Sequence, residues 1–596
     1  MTLFRKNNWQ VPFFYICALL FYPLVWVRVF TGRLPYWGDL NFFTPGLIAL
    51  LCCSLLLFNP KALSDFFSHR AARMIGIAFG FILLVSFIQY VQTNYLWSSV
   101  YWIAIPLFCA VNRRQVEKYL PYFMILLGLA TVIQSFHNLR FCNSLFGIPG
   151  NQNWNAALIA VTLPFICLGI YRCFNKLNKM LPYLITFLVF AGIALILYCD
   201  SKAAVLTFVI ACCGILILHY WKKLPLVYWL RAGMFLAVIG IILLGIFKGH
   251  LFTFLKDDQR LFLWSGALDL IEQNLWFGCG PELFESAYAP HIPFDYYLGR
   301  LVSNRHPHTH NHLLQFAVTM GIPALFAWCS IIVYALIKNL RQAAGQGNWY
   351  LKLYLFIFIL LFIHSMLDIV VLSWPLGCIF LIVLGILLGR AVEKSGQKEF
   401  KQVKFIPTLS FIAGLCCAIV LLNYLYLNLF SSLHYRNARL MSDEKNLKSV
   451  FLETKKSLAI KMTPQNIYLA ANISLYDFKD PQECLKYLDM LDSLGIENYL
   501  HNNLLRATAL CNTGKLNEAL LYFAQEQQNY SASCVNLYIY RSVLSKLGRK
   551  QQANAVGKQL KDLLKLKGFT EAMLPFLLKH PDIDLRFKTF NENRMK

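Results

Sequence analysis

The chain has 596 residues, of which 58% are hydrophobic and only 14% charged, with a mean hydropathy of +0.51. So few charges cannot cover so apolar a chain in water, which excludes a soluble globular class and leaves an all-α polytopic membrane protein. The net charge of +25 reads as basic loops on one membrane face rather than as a nucleic-acid surface, a choice that charge position tests.

The N-terminal "RKNNWQVPFFYICALLFYPLVWV" is basic then apolar. It is too long for a signal h-region and lacks a small-residue cleavage site, so it reads as a first span. Apolar windows long enough to cross a bilayer fall near 11–30, 41–58, 74–91, 96–112, 119–137, 155–171, 181–199, 203–220, 225–247, 312–337, 350–367, 370–389 and 405–430. The expected membrane body therefore has about 12–13 spans. With Arg5 and Lys6 inside and strict alternation, the inner segments collect 20 Lys and Arg, among them Arg113, Arg114, Lys222, Lys223, Arg341 and Arg390. The short outer loops collect only Arg33, Arg140 and Lys202. That bias sets the orientation. It predicts four parts: N-terminal membrane helices (1–247), a large outer loop (248–311), C-terminal membrane helices (312–430) and an outer helical domain (431–596). The cysteines lie mostly inside apolar runs, where they act as small hydrophobes, and no disulfide framework or zinc knuckle is expected.

Along the outer face, "GIPGNQNWNAA" (147–157) sets Asn151, Gln152, Asn153 and Asn155 at the start of a span. They suit either sugar hydroxyls or a helix cap. Lys202 follows Asp200–Ser201 at a break between two spans. Arg260 opens "RLFLWSGALDLI", whose apolar spacing predicts an amphipathic helix at the interface. "WFGCGPELF" (276–284) reads as a helix stop. Arg300 and Arg305 then precede four alternate histidines, His306, His308, His310 and His312. Alternate residues of an extended segment share a side, so a metal site is one reading. It lacks HExxH or a second His/Cys cluster, and no metal or other cofactor is expected. Solvated loop polarity is a second reading, and general-base chemistry by a neutral imidazole a third. "HSMLD" puts His364 and Asp368 one turn apart at an outer helix end, where ionisable groups tend to be functional. Cations beside a base at headgroup depth suit a phosphate-bearing lipid substrate.

The tail from 431 is more polar. "ALCNTGKLNEAL" and "SVLSKLGRKQQAN" align at a shift of 34, Gly514 onto Gly548 and Ala519 onto Ala553, and a looser copy surrounds "FKDPQECLKYLDML". That period predicts tetratricopeptide-like helical hairpins suited to protein or glycan contact.

His310–Asn311, nine residues and then Gly321, together with "GNQNWN", Ser201–Lys202, the Arg260–Gly280 stretch and "HSMLD", resembles the O-antigen ligase, pilin O-oligosaccharyltransferase and O-antigen polymerase family. The resemblance spans about 147–375. It implies a membrane glycosyltransferase of the bacterial inner membrane, acting on its periplasmic face without cofactor or metal. A glycan on undecaprenyl diphosphate would pass en bloc to an acceptor hydroxyl, on lipid A–core or, as alternatives, on a protein or a growing glycan. His310 would be the catalytic base. Arg260, Lys202 and Arg305 would hold the diphosphate, with Asn311, Gly321, Asn153, His308, His364 and Asp368 in support. Where many members have Ser-Arg this chain has Ser201–Lys202, which keeps the charge but loses the bidentate fork. Membrane lipids are the remaining expected partners, and nucleic acid is not one. A transporter or flippase is the reading from another class; against it, few ionisable residues lie at mid-span, Arg231 being the main exception.

Overall fold

The structure is a computed structural model that describes residues 10–18, 48–93, 97–142, 151–174, 181–220, 259–280, 283–292, 308–344, 348–373, 375–395, 407–442, 447–496 and 498–579. Among these residues every regular element is helical. In chain order they are α1 (10–18), α2 (Ile48–Leu57), α3 (Pro60–Phe67), α4 (Arg70–Thr93), α5 (Trp97–Val111), α6 (Arg113–Cys142), α7 (Gln152–Phe174), α8 (Leu181–Tyr198) and α9 (Lys202–Tyr220). After these come α10 (Gln259–Gln273), α11 (Phe284–Tyr288), α12 (His312–Ala343), α13 (Trp349–Leu367) and α14 (Leu376–Glu393).

Among the described residues six helices are long and apolar enough to cross a membrane: α4, α6, α7, α12, α13 and α14. The pair α2–α3, bent by 88°, makes a seventh if taken as one span. Shorter apolar helices lie at Val100–Val111, Pro182–Tyr198, Lys202–Leu218 and Leu409–Val420. Helices of this composition put their backbone polar groups out of reach of lipid, which is why the chain crosses the membrane several times as helix. The expected span at 225–247 lies outside the described residues.

The centre of the bundle is α14. Its residues from Leu376 to Leu388 are buried without exception, an all-round apolar surface that only a helix enclosed by other helices carries. It packs against α5, α12 and α13; α4 lies along α12, α9 along α13, and α6, α7 and α8 pack in succession. Ion pairs tie one end of this body. Arg390, in the last turn of α14, grips Glu117 of α6 with Nε to Oε1 at 2.5 Å and Nη2 to Oε2 at 2.9 Å. Arg113 joins Glu117 at 3.1 Å and reaches Glu393 at 2.5 Å. These residues belong to segments that charge alternation puts on one side, and the structure brings them together.

The C-terminal part begins with α15 (Pro407–Ser442), a single helix of 36 residues that runs on past 430. Against it lies α16 (Leu447–Ile460), with Ser431 and Ser457 hydroxyls 3.0 Å apart. Then come α17 (Pro464–Tyr476), α18 (Pro481–Ser493), α19 (Asn502–Asn512), α20 (Leu516–Asn529), α21 (Cys534–Lys546), α22 (Lys550–Lys567) and α23 (Leu574–Lys579). Each of α17 to α22 packs on its neighbours in sequence, so the helices form three successive hairpins, α17–α18, α19–α20 and α21–α22. Gly514 and Gly548, the residues 34 apart in the alignment, turn the second and third hairpins with φ of +83° and +74°. Lys479 turns the first, at φ +54°.

Candidate functional site

Opposite the ion-pair end, the starts of α7 and α12 meet the end of α13. Asn311 is the N-cap of α12: its Oδ1 accepts from Leu314 N–H at 3.0 Å, while its Nδ2 donates to the Met366 carbonyl at 3.2 Å. One side chain thus starts α12 and fastens it to the last turn of α13. The residue before it, His310, has φ +56°, a left-handed conformation that costs a non-glycine residue about 1–2 kcal/mol and persists where neighbours hold it. Thr309 does the holding. Its N–H donates to Gln315 Oε1 at 2.8 Å, and its hydroxyl donates to the Asn311 carbonyl at 2.9 Å. Its own carbonyl accepts the indole N–H of Trp264 on α10 at 2.9 Å.

Set this way, His310 Nδ1 lies 3.0 Å from Asp368 Oδ1. The carboxylate is 4% exposed and the imidazole 36%. Asp368 Oδ2 accepts from Asn153 Nδ2, in the first turn of α7, at 3.1 Å. Burial works against ionisation of Asp368. The hydrogen bond from His310 and the nearby His310, His308 and His364 rings outweigh it and hold the carboxyl below the usual carboxylate range. An ionised carboxylate only accepts, so Nδ1 carries the proton and Nε2 is left with the lone pair. The site therefore contains a half-open imidazole, anchored on its inner nitrogen and basic on its outer one.

The other expected residues fall as follows. His308 sets its ring edge-on to His310, with centroids 4.4 Å apart. His364 is fully buried in the last turn of α13, with no hydrogen-bond partner on either ring nitrogen among the described residues, and Arg260 at the start of α10 is within electrostatic reach of it. Lys202 begins α9 as an exposed residue. The Ser201 hydroxyl caps that helix on Ala204 N–H at 3.2 Å, and α9 packs against α13, the helix ending in His364 and Asp368. His306 and Arg305 lie outside the described residues. Among those that are described, no group of three or more His, Cys, Asp or Glu is arranged to hold a metal ion. Of the two uses weighed for the asparagines of "GNQNWN", Asn151 takes the helix cap, while the other two bond protein side chains. Asn151 Oδ1 caps α7 on Asn153 N–H at 2.8 Å, Asn153 holds Asp368, and Asn155 turns inward to Ser135 at 3.0 Å.

Gly321 lies away from the imidazole. At φ +80° and ψ +164° it breaks α12, and the segment expected to be a plain helix stop docks on the break. Cys279 N–H donates to the Val318 carbonyl at 2.9 Å, Gly280 N–H to Thr319 at 3.1 Å, and Ile322 N–H to Leu275 at 2.9 Å. A Cβ on Gly321 would lie 2.3 Å from the Trp276 carbonyl oxygen, so only glycine permits this approach. Gln89 of α4, not among the residues singled out in the sequence, donates through Nε2 to the Thr319 carbonyl at 2.6 Å and to the Phe277 carbonyl. Its signal was an amide inside an apolar run. Trp264 was counted only as part of an apolar face, yet its indole N–H reaches the loop of His310. That face itself divides: Leu263, Ala267 and Leu270 are buried, whereas Leu261 and Leu268 are exposed.

Residues 187–329 match the family model described as O-antigen ligase. The match contains Lys202, Arg260, His310 and Gly321 and excludes Asn153, His364 and Asp368, so it is narrower at both ends than the resemblance read from motifs. No curated protein matches the chain. Residues 187–329 thus carry an O-antigen ligase domain, set in an all-helical body with several helices long and apolar enough to cross a membrane; members of that family are membrane glycosyltransferases and ligases.

Proposed function

We propose that the protein transfers a glycan en bloc from undecaprenyl diphosphate to a hydroxyl of lipid A–core, on the periplasmic face of the bacterial inner membrane. In this reading 1–247 and 312–430 form the membrane body, 248–311 the outer loop, and 431–596 an outer, tetratricopeptide-like tail. The observation that carries it is the His310–Asp368 pair, held at 3.0 Å, with its histidine inside the family segment. His310 Nε2 takes the proton of the acceptor hydroxyl as that oxygen bonds to the anomeric carbon. The bond from that carbon to the diphosphate oxygen breaks, and the electron pair leaves on the diphosphate. Asp368 keeps Nδ1 protonated and stabilises the imidazolium that forms. Arg260, Lys202 and Arg305 offset charge on the leaving diphosphate. His308 shapes the acceptor's approach.

A second reading, a protein hydroxyl as acceptor, is favoured by the helical hairpins of the tail, since such series present surfaces to polypeptides. In vesicles given labelled lipid-linked donor, the wild-type protein is expected to label either lipid A–core or a pilin, and the labelled species names the acceptor. His310→Ala at equal membrane level should lose at least about a hundredfold in rate. Undiminished transfer by that variant would overturn the enzymatic reading.

A further inference from the structure

The C-terminal helices are built against the site. Phe262, two residues beyond Arg260 on α10, packs on the core formed by α19 to α23, and so does Ile292, which packs at the same time on the core that α10 shares with α12. Leu283 packs on the neighbouring core of α17 to α19. One polar bond accompanies these contacts: Asn498 N–H donates to Ser286 Oγ at 3.2 Å. Asn498 is fixed from its own side, its Oδ1 accepting from Asn503 Nδ2 at 3.2 Å and from Asn529 Nδ2 at 2.8 Å.

The same short helix faces the catalytic loop. Trp264 donates to the Thr309 carbonyl, one residue before His310, and Arg260 stands at the head of α10. Residues 288–292 cannot slide on this helix. The Tyr288 hydroxyl donates to the Phe262 carbonyl at 3.3 Å, and a Cβ on Gly266 would lie 2.5 Å from the His291 carbonyl oxygen. Tail, α10 and the His310 loop are thus one chain of packed contacts, a physical route for coupling whose reality is decided by double-mutant measurement.

We propose that the tail is a positioning element of the transfer site: its seam with Phe262, Ser286 and Ile292 fixes α10, and through Trp264 it fixes the loop that presents His310. The proposal rests on the reading of His310 as base. Displacement of a reacting group by about 1 Å lowers rates by on the order of a hundredfold, so slackening this seam is felt at the imidazole through α10 and the loop it holds.

The test uses the full-length protein in vesicles with labelled lipid-linked donor, comparing Phe262→Ala, Trp264→Phe and the double variant. Each single change is expected to lower kcat about tenfold with acceptor KM unchanged. The double should be no slower than the slower single, because both interrupt one linkage. Phe262→Leu should recover most of the rate, and Leu521→Ala, on an exposed tail position, should match wild type. Independent, multiplicative losses, or an unchanged kcat in Phe262→Ala, would overturn the proposal. If Phe262→Ala does not reach the membrane, Ser286→Ala takes its place in the cycle. His310→Ala run in parallel separates the two readings. Activity equal to wild type there removes the enzymatic reading, whereas an inactive His310→Ala beside unaffected seam variants removes only the seam.

Discussion

At the end of α13, burial favours a neutral Asp368, yet its surroundings keep it ionised. That balance decides which histidine nitrogen is basic. Asp368→Asn retains the shape but no longer enforces the Nδ1–H tautomer or stabilises the imidazolium. We expect kcat to fall by about 10²–10⁴ with little change in donor KM, read by glycan transfer in vesicles; a loss of less than threefold would show that the pair is not used. The same carboxyl links stability to pH. Its folded-state pKa lies below the unfolded one, so its contribution is present above the ordinary carboxylate range and is lost as pH falls through the folded value. The difference in thermal midpoint between wild type and Asp368→Asn should therefore shrink as pH drops from about 5 to about 3. Motif spacing made His310, Asp368 and Asn153 legible in the sequence. Trp264 and Gln89 were not, because each acts on a backbone carbonyl, and an acceptor that every residue carries leaves no pattern to read.

Among elements, the three tail hairpins differ at one turn. Two use glycine in the left-handed conformation, whereas the first puts Lys479 there at φ +54°. This explains why the first copy looked looser in sequence: the turn geometry is kept while its usual residue is absent. Lys479→Gly should relieve the strain and stabilise the tail by about 0.5–1 kcal/mol, after the entropy that glycine adds to the unfolded chain is offset. Denaturant unfolding of the full chain followed by tail-specific proteolysis would measure it, and a destabilised variant would contradict the account. The two glycine turns, at 514 and 548, were legible from the period of 34. The seat of the hairpins on α10 was not, since Phe262 and Ile292 look like any apolar residues until the chain is folded.

Over the whole molecule, charge alternation and packing agree about ends. Arg113, Glu117, Arg390 and Glu393 gather at one end of the bundle, and His310, Asp368 and Asn153 at the other. An orientation with the second end outside predicts that a phosphatase active only outside the cytoplasm is active when fused after Lys596 and silent in the 338–349 loop. The opposite pattern would put the site on the side of soluble nucleotides and refute the lipid-linked donor. The docked break in α12 adds a constraint of another kind. Nine helical residues separate His310–Asn311 from the seat at Gly321, and the seat is clamped by backbone hydrogen bonds and by the Gln89 amide. Each residue inserted or deleted there would turn the imidazole by about 100° and shift it by about 1.5 Å relative to the clamp. The interval acts as a yardstick with a phase: beyond the side chains it buries and the hold of Gln315 on the His310 loop, its length itself is fixed.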